Sequence, residues 1–246
     1  MKKKTDLQAV KALARAFLYF EPEETDYSPL VIKHPFTDSG IVGIQKKGGD
    51  ICIGNILENS TDLNAWRKQT AAMIDRCDSA MQIAYLLTKS YSFGFLKYAQ
   101  PHLDKADLSK LLAYMWVHTE QPNNDPNLSK HRLLSLFGTA DPTVLMDEDE
   151  YLAYQSLPDT VTVYRGVTSF NADNIRALSW TLDYEKAEWF AHRFGEDGTV
   201  YEAQIDKEHI LALFLSRGEA EVIVDPRQLR DIALAEAPGE GFTMTM

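Results

Sequence analysis

Apolar positions near the start of the chain recur at helical spacing. Leu7, Val10, Ala14, Phe17 and Leu18 alternate with Gln8, Lys11 and Arg15. That period describes one face of an amphipathic helix. The polar interruptions argue against a signal peptide behind Lys2-Lys3-Lys4. Glu21-Pro22-Glu23-Glu24 then breaks the pattern. Leu30–Lys33, Ile41–Gln45 and Ile51–Ile53 read as short strands, the last two joined by Lys46-Lys47-Gly48-Gly49-Asp50. Glycine takes positive φ without steric cost, so that segment predicts a hairpin turn. From Ser60 to about Gln121 the chain reads as helices. Asp62 is expected to cap one that carries Trp66, Thr70, Met73, Ile74 and Cys77. Met81–Leu87 continues apolar, and Leu108, Leu111, Leu112, Met115 and Trp116 form another stripe, the signature of core. Gln121-Pro122-Asn123-Asn124-Asp125-Pro126-Asn127 is a loop. A short helix over Leu128–Phe137 is expected to close at Gly138.

After Pro158-Asp159 the texture changes to strand alternation. Val161–Tyr164 predicts a strand ending in Arg165-Gly166, and Leu178-Ser179-Trp180-Thr181 a second. Asp183 is placed to cap a helix over Tyr184–Phe194, with Ala187, Phe190, Ala191 and Phe194 on one face. Thr199–Ile205 and Leu211–Ser216 are further strands. Arg217-Gly218 turns into a last one, Glu219–Val224, ended by Asp225-Pro226. Residues two apart on a strand share a face, so Ser179 lies with Thr181 and Glu219 with Glu221, while Trp180 turns toward the core. The expected fold is α+β. Residues 1–158 form a mostly helical region with a small β-hairpin near 41–53, and residues 159–246 a strand-rich domain.

Charge narrows the chemistry. The net charge is −11 over 246 residues. From Asp159 onward 8 Lys/Arg stand against 16 Asp/Glu, a net of −8, which leaves −3 for the first 158 residues. An acidic surface repels phosphate backbones, so non-specific nucleic-acid binding is disfavoured. Two cysteines, Cys52 and Cys77, form neither a disulfide framework nor a CxxC pair. The six histidines are scattered and none makes a ligand pair. Asp147-Glu148-Asp149-Glu150 lacks the calcium-loop glycine, Leu152 standing at the sixth position, and reads as the acidic first turn of a helix. No metal and no membrane segment is expected, and the expected location is the cytoplasm of a producer or host cell. Dinucleotide-fold, P-loop and GxSxG signatures are absent from the sequence.

The order of the remaining pieces resembles the arginine–serine–glutamate group of mono-ADP-ribosyltransferases, of bacterial-toxin and bacteriophage type. The residues that carry the likeness are Val163-Tyr164-Arg165-Gly166, Ser179-Trp180-Thr181 and Glu219-Ala220-Glu221. It covers about Asp159 to Pro226. Trp180 stands where that family usually has Thr. The resemblance implies a split β-sandwich and NAD as the substrate, whose ADP-ribose passes to an acceptor as nicotinamide leaves. It assigns Glu221 to the ribose, Ser179 to orienting Glu221, and Thr181 to the nicotinamide-ribose side. Arg165 falls to the dinucleotide phosphates and Gly166 to close backbone approach at nicotinamide. Tyr184 or Phe190 would stand near that ring, with core packing favoured for Phe190. Glu219, in an acceptor-side loop with Arg217 and Gly218, implies an arginine of a protein target. The resemblance also leaves room for an inhibitory partner or antitoxin. Acceptors in nucleic acid, simple NAD hydrolysis and a catalytically inactive partner-binding module remain as alternatives. The region before residue 159 would complete the cleft or bind the target.

Overall fold

The computed structural model describes residues 3–46 and 48–237. Lys2, Lys47 of the predicted turn and residues 238–246 of the predicted second domain lie outside them. The chain forms two compact units, Met1–Leu128 and Ser129–Met246.

In the first unit, α1 (Leu7–Leu18) starts at Asp6, whose carboxylate accepts from Ala9 N at 3.0 Å, and buries Val10, Ala14, Phe17 and Leu18. Two antiparallel hairpins follow: β1 (Glu23–Thr25) with β2 (Ser28–Lys33), and β3 (Ile41–Gln45) with β4 (Ile51–Asn55). The first was not expected, because the acidic β1 has no apolar alternation to betray it. Helices α2 (Ser60–Arg76), α3 (Ala80–Ala84), α4 (Ser92–Ala99) and α5 (Lys105–His118) complete the unit. Asn59, not Asp62, caps α2, its Oδ1 accepting from Thr61 N at 2.9 Å. Asp62 sits within the first turn and instead accepts from Asn55 N at 3.1 Å, tying β4 to the helix. Leu111, Leu112, Met115 and Trp116 of α5 are buried as core.

The second unit begins with α6 (Lys130–Thr139), α7 (Pro142–Leu145) and α8 (Glu148–Gln155). It continues through β5 (Thr160–Val167), β6 (Ser179–Thr181), α9 (Tyr184–Ala191), β7 (Thr199–Asp206), β8 (Ile210–Phe214), β9 (Glu221–Val224) and β10 (Arg230–Leu234). The division therefore falls at 128/129 rather than at 158/159. The reason is packing: α6, α7 and α8 all lie on β8. Tyr154 Oη donates to Ile210 O at 3.3 Å, and Leu215 N donates to Glu150 Oε1 at 3.0 Å. Gly138 lies inside α6, which ends at Thr139 with Ala140 as its cap. The acid run opens α8 with a capping box: Asp147 Oδ1 accepts from Glu150 N, and Glu150 Oε2 accepts from Asp147 N.

All six strands of the second unit join in one antiparallel sheet, in the order β10-β7-β5-β6-β9-β8. Among the described residues these strands form a single hydrogen-bonded sheet. The sheet does narrow at one place. β5 pairs with β7 from Thr160 to Val167, yet it meets β6 at a single position, Tyr164 opposite Thr181. This seam divides β10-β7-β5 from β6-β9-β8. Asp183 caps α9, accepting from Glu185 N at 2.9 Å, and α9 packs on β5. The helix stops at Ala191, short of the expected Phe194. Phe194 takes a left-handed φ of 63° and is 81% exposed, so it does not join the core face.

Candidate active site

Side chains from both sides of the seam meet there. Ser179 and Thr181 share a face of β6, and Glu221 of β9 lies directly opposite Thr181 in the register. Ser179 is then the diagonal neighbour of Glu221, within reach of a side-chain hydrogen bond. Ser179 Oγ donates to Glu221 Oε1. From the other side, Arg165 of β5 crosses the seam, and its Nη1 donates to Ser179 O at 2.6 Å. Arg165, Ser179 and Glu221 are thus joined through one serine. Trp180 points the opposite way, as alternation requires. It is 2% exposed, and its indole Nε1 donates to Ala177 O at 3.1 Å.

The arginine is under electrostatic tension. Burial pulls its pKa down to about 10, and the charge of Glu221 opposes that shift. Its Nε is buried and has no hydrogen-bond partner. A buried donor left unpaired is costly, which makes this atom conspicuous.

Glu219 does not share the strand face with Glu221. β9 begins only at Glu221, and Glu219 adopts a helical conformation (φ −97°, ψ −14°) in the preceding turn. Arg217 at φ 64° and Gly218 at φ 61° turn the chain before Glu219, and Ala220 at φ 41° breaks the extended backbone between the two carboxylates. The turn is clamped from β6: Thr181 Oγ1 donates to Glu219 O at 2.6 Å and Leu182 N to Ala220 O at 3.1 Å. Buried Thr181 therefore positions the loop. Arg217 and Gly218 are exposed at its tip.

Gly166 has a packing reason to lack a side chain. A Cβ there would collide with the Ala187 carbonyl oxygen and lie 2.6 Å from Ala191 N and 2.9 Å from Phe190 Cβ, all on α9. Tyr184 meets Tyr164 edge to face at 5.6 Å, and both pack against Ala187, Ala191 and Val200. Phe190 is half-buried beside exposed Trp189, at a ring separation of 5.0 Å.

Two further residues of this unit were not singled out from sequence. Glu150, read only as part of an acidic helical turn, anchors the first residue after β8 by accepting from Leu215 N. Lys130 reaches Asn174 Oδ1 with its ammonium group. No sequence spacing connects either to the motifs after residue 159. Among the described residues no group of three or more His, Cys, Asp or Glu side chains could hold a metal ion, and no helix is long and apolar enough to cross a membrane.

Comparison with protein-family models, with curated proteins and with solved structures finds no match to this chain.

Proposed function

We propose that this chain transfers ADP-ribose from NAD to an arginine of a protein target and releases nicotinamide, as an effector or toxin of the kind its motif order resembles. The observation that carries the reading is the linked trio at the seam: a carboxylate, Glu221, held by the Ser179 hydroxyl, whose own carbonyl is held by Arg165. The bond from ribose C1′ to the nicotinamide nitrogen breaks with its electron pair leaving on nicotinamide. The ribose becomes oxocarbenium-like, as in glycoside hydrolysis. A carboxylate fixed in advance stabilises that charge without reorganising, which is the role of Glu221. The Arg165 guanidinium matches phosphate oxygens. Glu219, set off from the β9 strand by the left-handed Ala220, receives the proton that the acceptor guanidinium loses as its nitrogen bonds to C1′. Tight α9 packing gives Gly166 a structural reason to lack a side chain, alongside the backbone approach to nicotinamide that the resemblance implies.

The test uses labelled NAD with a cell lysate, scoring nicotinamide release and the fate of the label. Wild type should release nicotinamide and label protein on arginine. Glu221→Gln should lose both by ~100–1,000-fold, the usual cost of a preorganised charge-stabilising group. Glu219→Gln should lose labelling and keep slow release, because water still captures the ribosyl cation. Label in nucleic acid would replace the protein acceptor, and release without label would make the chain an NAD glycohydrolase. Wild-type protein that releases no nicotinamide would refute the reading.

A further inference from the structure

We propose that an exposed aromatic and cationic patch at the end of α9, built from Phe170, Lys186, Trp189, Arg193 and Phe194, docks the protein that carries the acceptor arginine. It does so by taking a carboxylate set beside an apolar side chain of that protein. The inference rests on the transfer reading for the identity of the partner and on separate observations for the surface.

Large apolar side chains gather here in water. Trp189 is 56% exposed, Phe170 79% and Phe194 81%. Single exposed apolar residues are ordinary, but a group of them marks a contact surface. Backbone and side-chain bonds hold the group together. Ser169 Oγ donates to Glu196 Oε2 at 2.6 Å, which joins the turn carrying Phe170 to the turn carrying Phe194. Gly198 N donates to Ala191 O at 3.1 Å and fastens the second turn to the end of α9. Phe194 keeps its φ of 63°, a strained conformation for a residue with a Cβ. At its exposure, core burial does not offset that strain.

Two cations complete the patch. The Arg193 guanidinium carbon lies 4.4 Å from the centre of the Phe194 ring and 5.6 Å from that of Trp189. Lys186 Nζ lies 5.6 Å from the Trp189 ring centre. All three distances are within cation–π range. Among the described residues neither cation forms an ion pair, although Glu185 and Glu188 belong to the same helix. A guanidinium over a ring keeps its N–H edge for an acceptor. From Asp159 onward the chain has only 8 Lys/Arg against 16 Asp/Glu, and two of the 8 stand here. The patch therefore complements an anionic side chain flanked by apolar ones, and its Trp, Phe and Arg are the types that anchor protein interfaces. The acid around it disfavours a phosphate backbone.

Position selects the partner. Beside the other end of α9, Leu182 N holds the Ala220 carbonyl of the acceptor-side loop. The helix has 8 residues, so ~12 Å separates loop and patch at ~1.5 Å per residue. A standard protein interface of ~800 Å² per side spans both.

The experiment gives the full chain labelled NAD and two acceptors in parallel: the proteins of a cell lysate, and agmatine, a small guanidine with no surface to dock. Wild type is compared with Trp189→Ala, Arg193→Glu, Arg193→Lys and Phe194→Asn, the last suited to left-handed backbone. Trp189→Ala, Arg193→Glu and Phe194→Asn should each lose protein labelling by ~10–100-fold, the usual effect of removing an interface anchor. All three should label agmatine and release nicotinamide at the wild-type rate, and Arg193→Lys should stay within a few-fold of wild type on both acceptors. Unchanged protein labelling would overturn the docking surface and leave the transfer reading intact. Equal losses on protein and agmatine would overturn it too, by placing the patch in the NAD site or the fold. Patch-dependent label in nucleic acid, or a wild-type dimer that Phe194→Asn dissociates, would give the patch another occupant and overturn the proposal. A wild type that releases no nicotinamide overturns both this inference and the transfer reading.

Discussion

A single methyl group at Gly166 tests how the sheet carries its helix. The Cβ of Gly166→Ala would overlap the Ala187 carbonyl oxygen and approach Ala191 N to 2.6 Å. Both are main-chain atoms of α9, so no rotamer change relieves the clash. Carbon contacts settle near 3.5 Å, so α9 must lift by roughly 1 Å. Overpacking of this kind costs ~1–3 kcal/mol, and the rigid partners put Gly166→Ala at about 3 kcal/mol. With a urea slope of about 2 kcal/mol/M, the unfolding midpoint should fall by about 1.5 M. Gly138→Ala is the matched control. It lies inside α6 with nothing within 4 Å of its added Cβ, and should stabilise by ~0.5–1 kcal/mol. Unfolding is followed by tryptophan fluorescence, since Trp180 and Trp189 both belong to this unit. A Gly166→Ala protein as stable as wild type would refute the packing argument. If that stable protein had also lost NAD binding, the glycine would serve the ligand, as the motif resemblance implied.

Other expectations follow from the same contacts. Trp180→Ala should destabilise by ~3–5 kcal/mol, the cost of truncating a buried aromatic; a stable but inactive variant would put the indole at the ligand. Glu150→Gln should release the start of the 215–220 loop by weakening the bond to Leu215 N, so arginine labelling should fall more than nicotinamide release does; equal losses would deny it a positioning role. In the first unit His34 is buried, its Nδ1 accepting from Phe36 N at 3.1 Å, and desolvation lowers its pKa to about 4. The unfolded chain protonates this imidazole below pH ~6.5 while the folded unit resists, so stability is full above pH ~6.5 and falls by about 3 kcal/mol toward pH ~4. Urea midpoints of His34→Gln should lack that part of the slope, and an identical slope would contradict it.

Element positions were largely legible because they depend on local period. α1 and β3 match their predicted spans, and Asp183 caps α9 as read. The misplacements share a cause: a local signal was satisfied by a distant partner. Asp62 has the chemistry of a cap, yet β4 takes its carboxylate and Asn59 caps the helix. Helices α6 to α8 read as part of the helical region, but their apolar faces are claimed by β8, which comes later in the chain. β10 was invisible because its residues are mostly exposed and lack alternation. Ser179 and Glu221 were singled out by the motif order, and the fold brings the two side chains into hydrogen-bond contact. Lys130 and Glu150 were not singled out, because their contacts with Asn174 and with Leu215 N join elements far apart in the sequence.

The departure of Glu219 from the strand bears most on mechanism. Had the two glutamates shared one extended face, their carboxylates would stand close enough to repel. The left-handed Ala220 turns the chain between them and the left-handed Arg217 bends it just before Glu219, at a steric cost of ~1–2 kcal/mol each for residues with a Cβ. Such backbone persists only where the surroundings over-determine it. Here the clamps are visible: Thr181 holds the Glu219 carbonyl, Leu182 the Ala220 carbonyl, and Glu150 the Leu215 amide. The strand fixes Glu221 through Ser179, and the clamped turn governs Glu219 independently. One carboxylate is thus committed to a fixed position at the seam, while the other belongs to a loop whose exposed tip carries Arg217 and Gly218. That division suits a reaction in which bond cleavage demands a rigid electrostatic partner and acceptor recognition demands a separate surface.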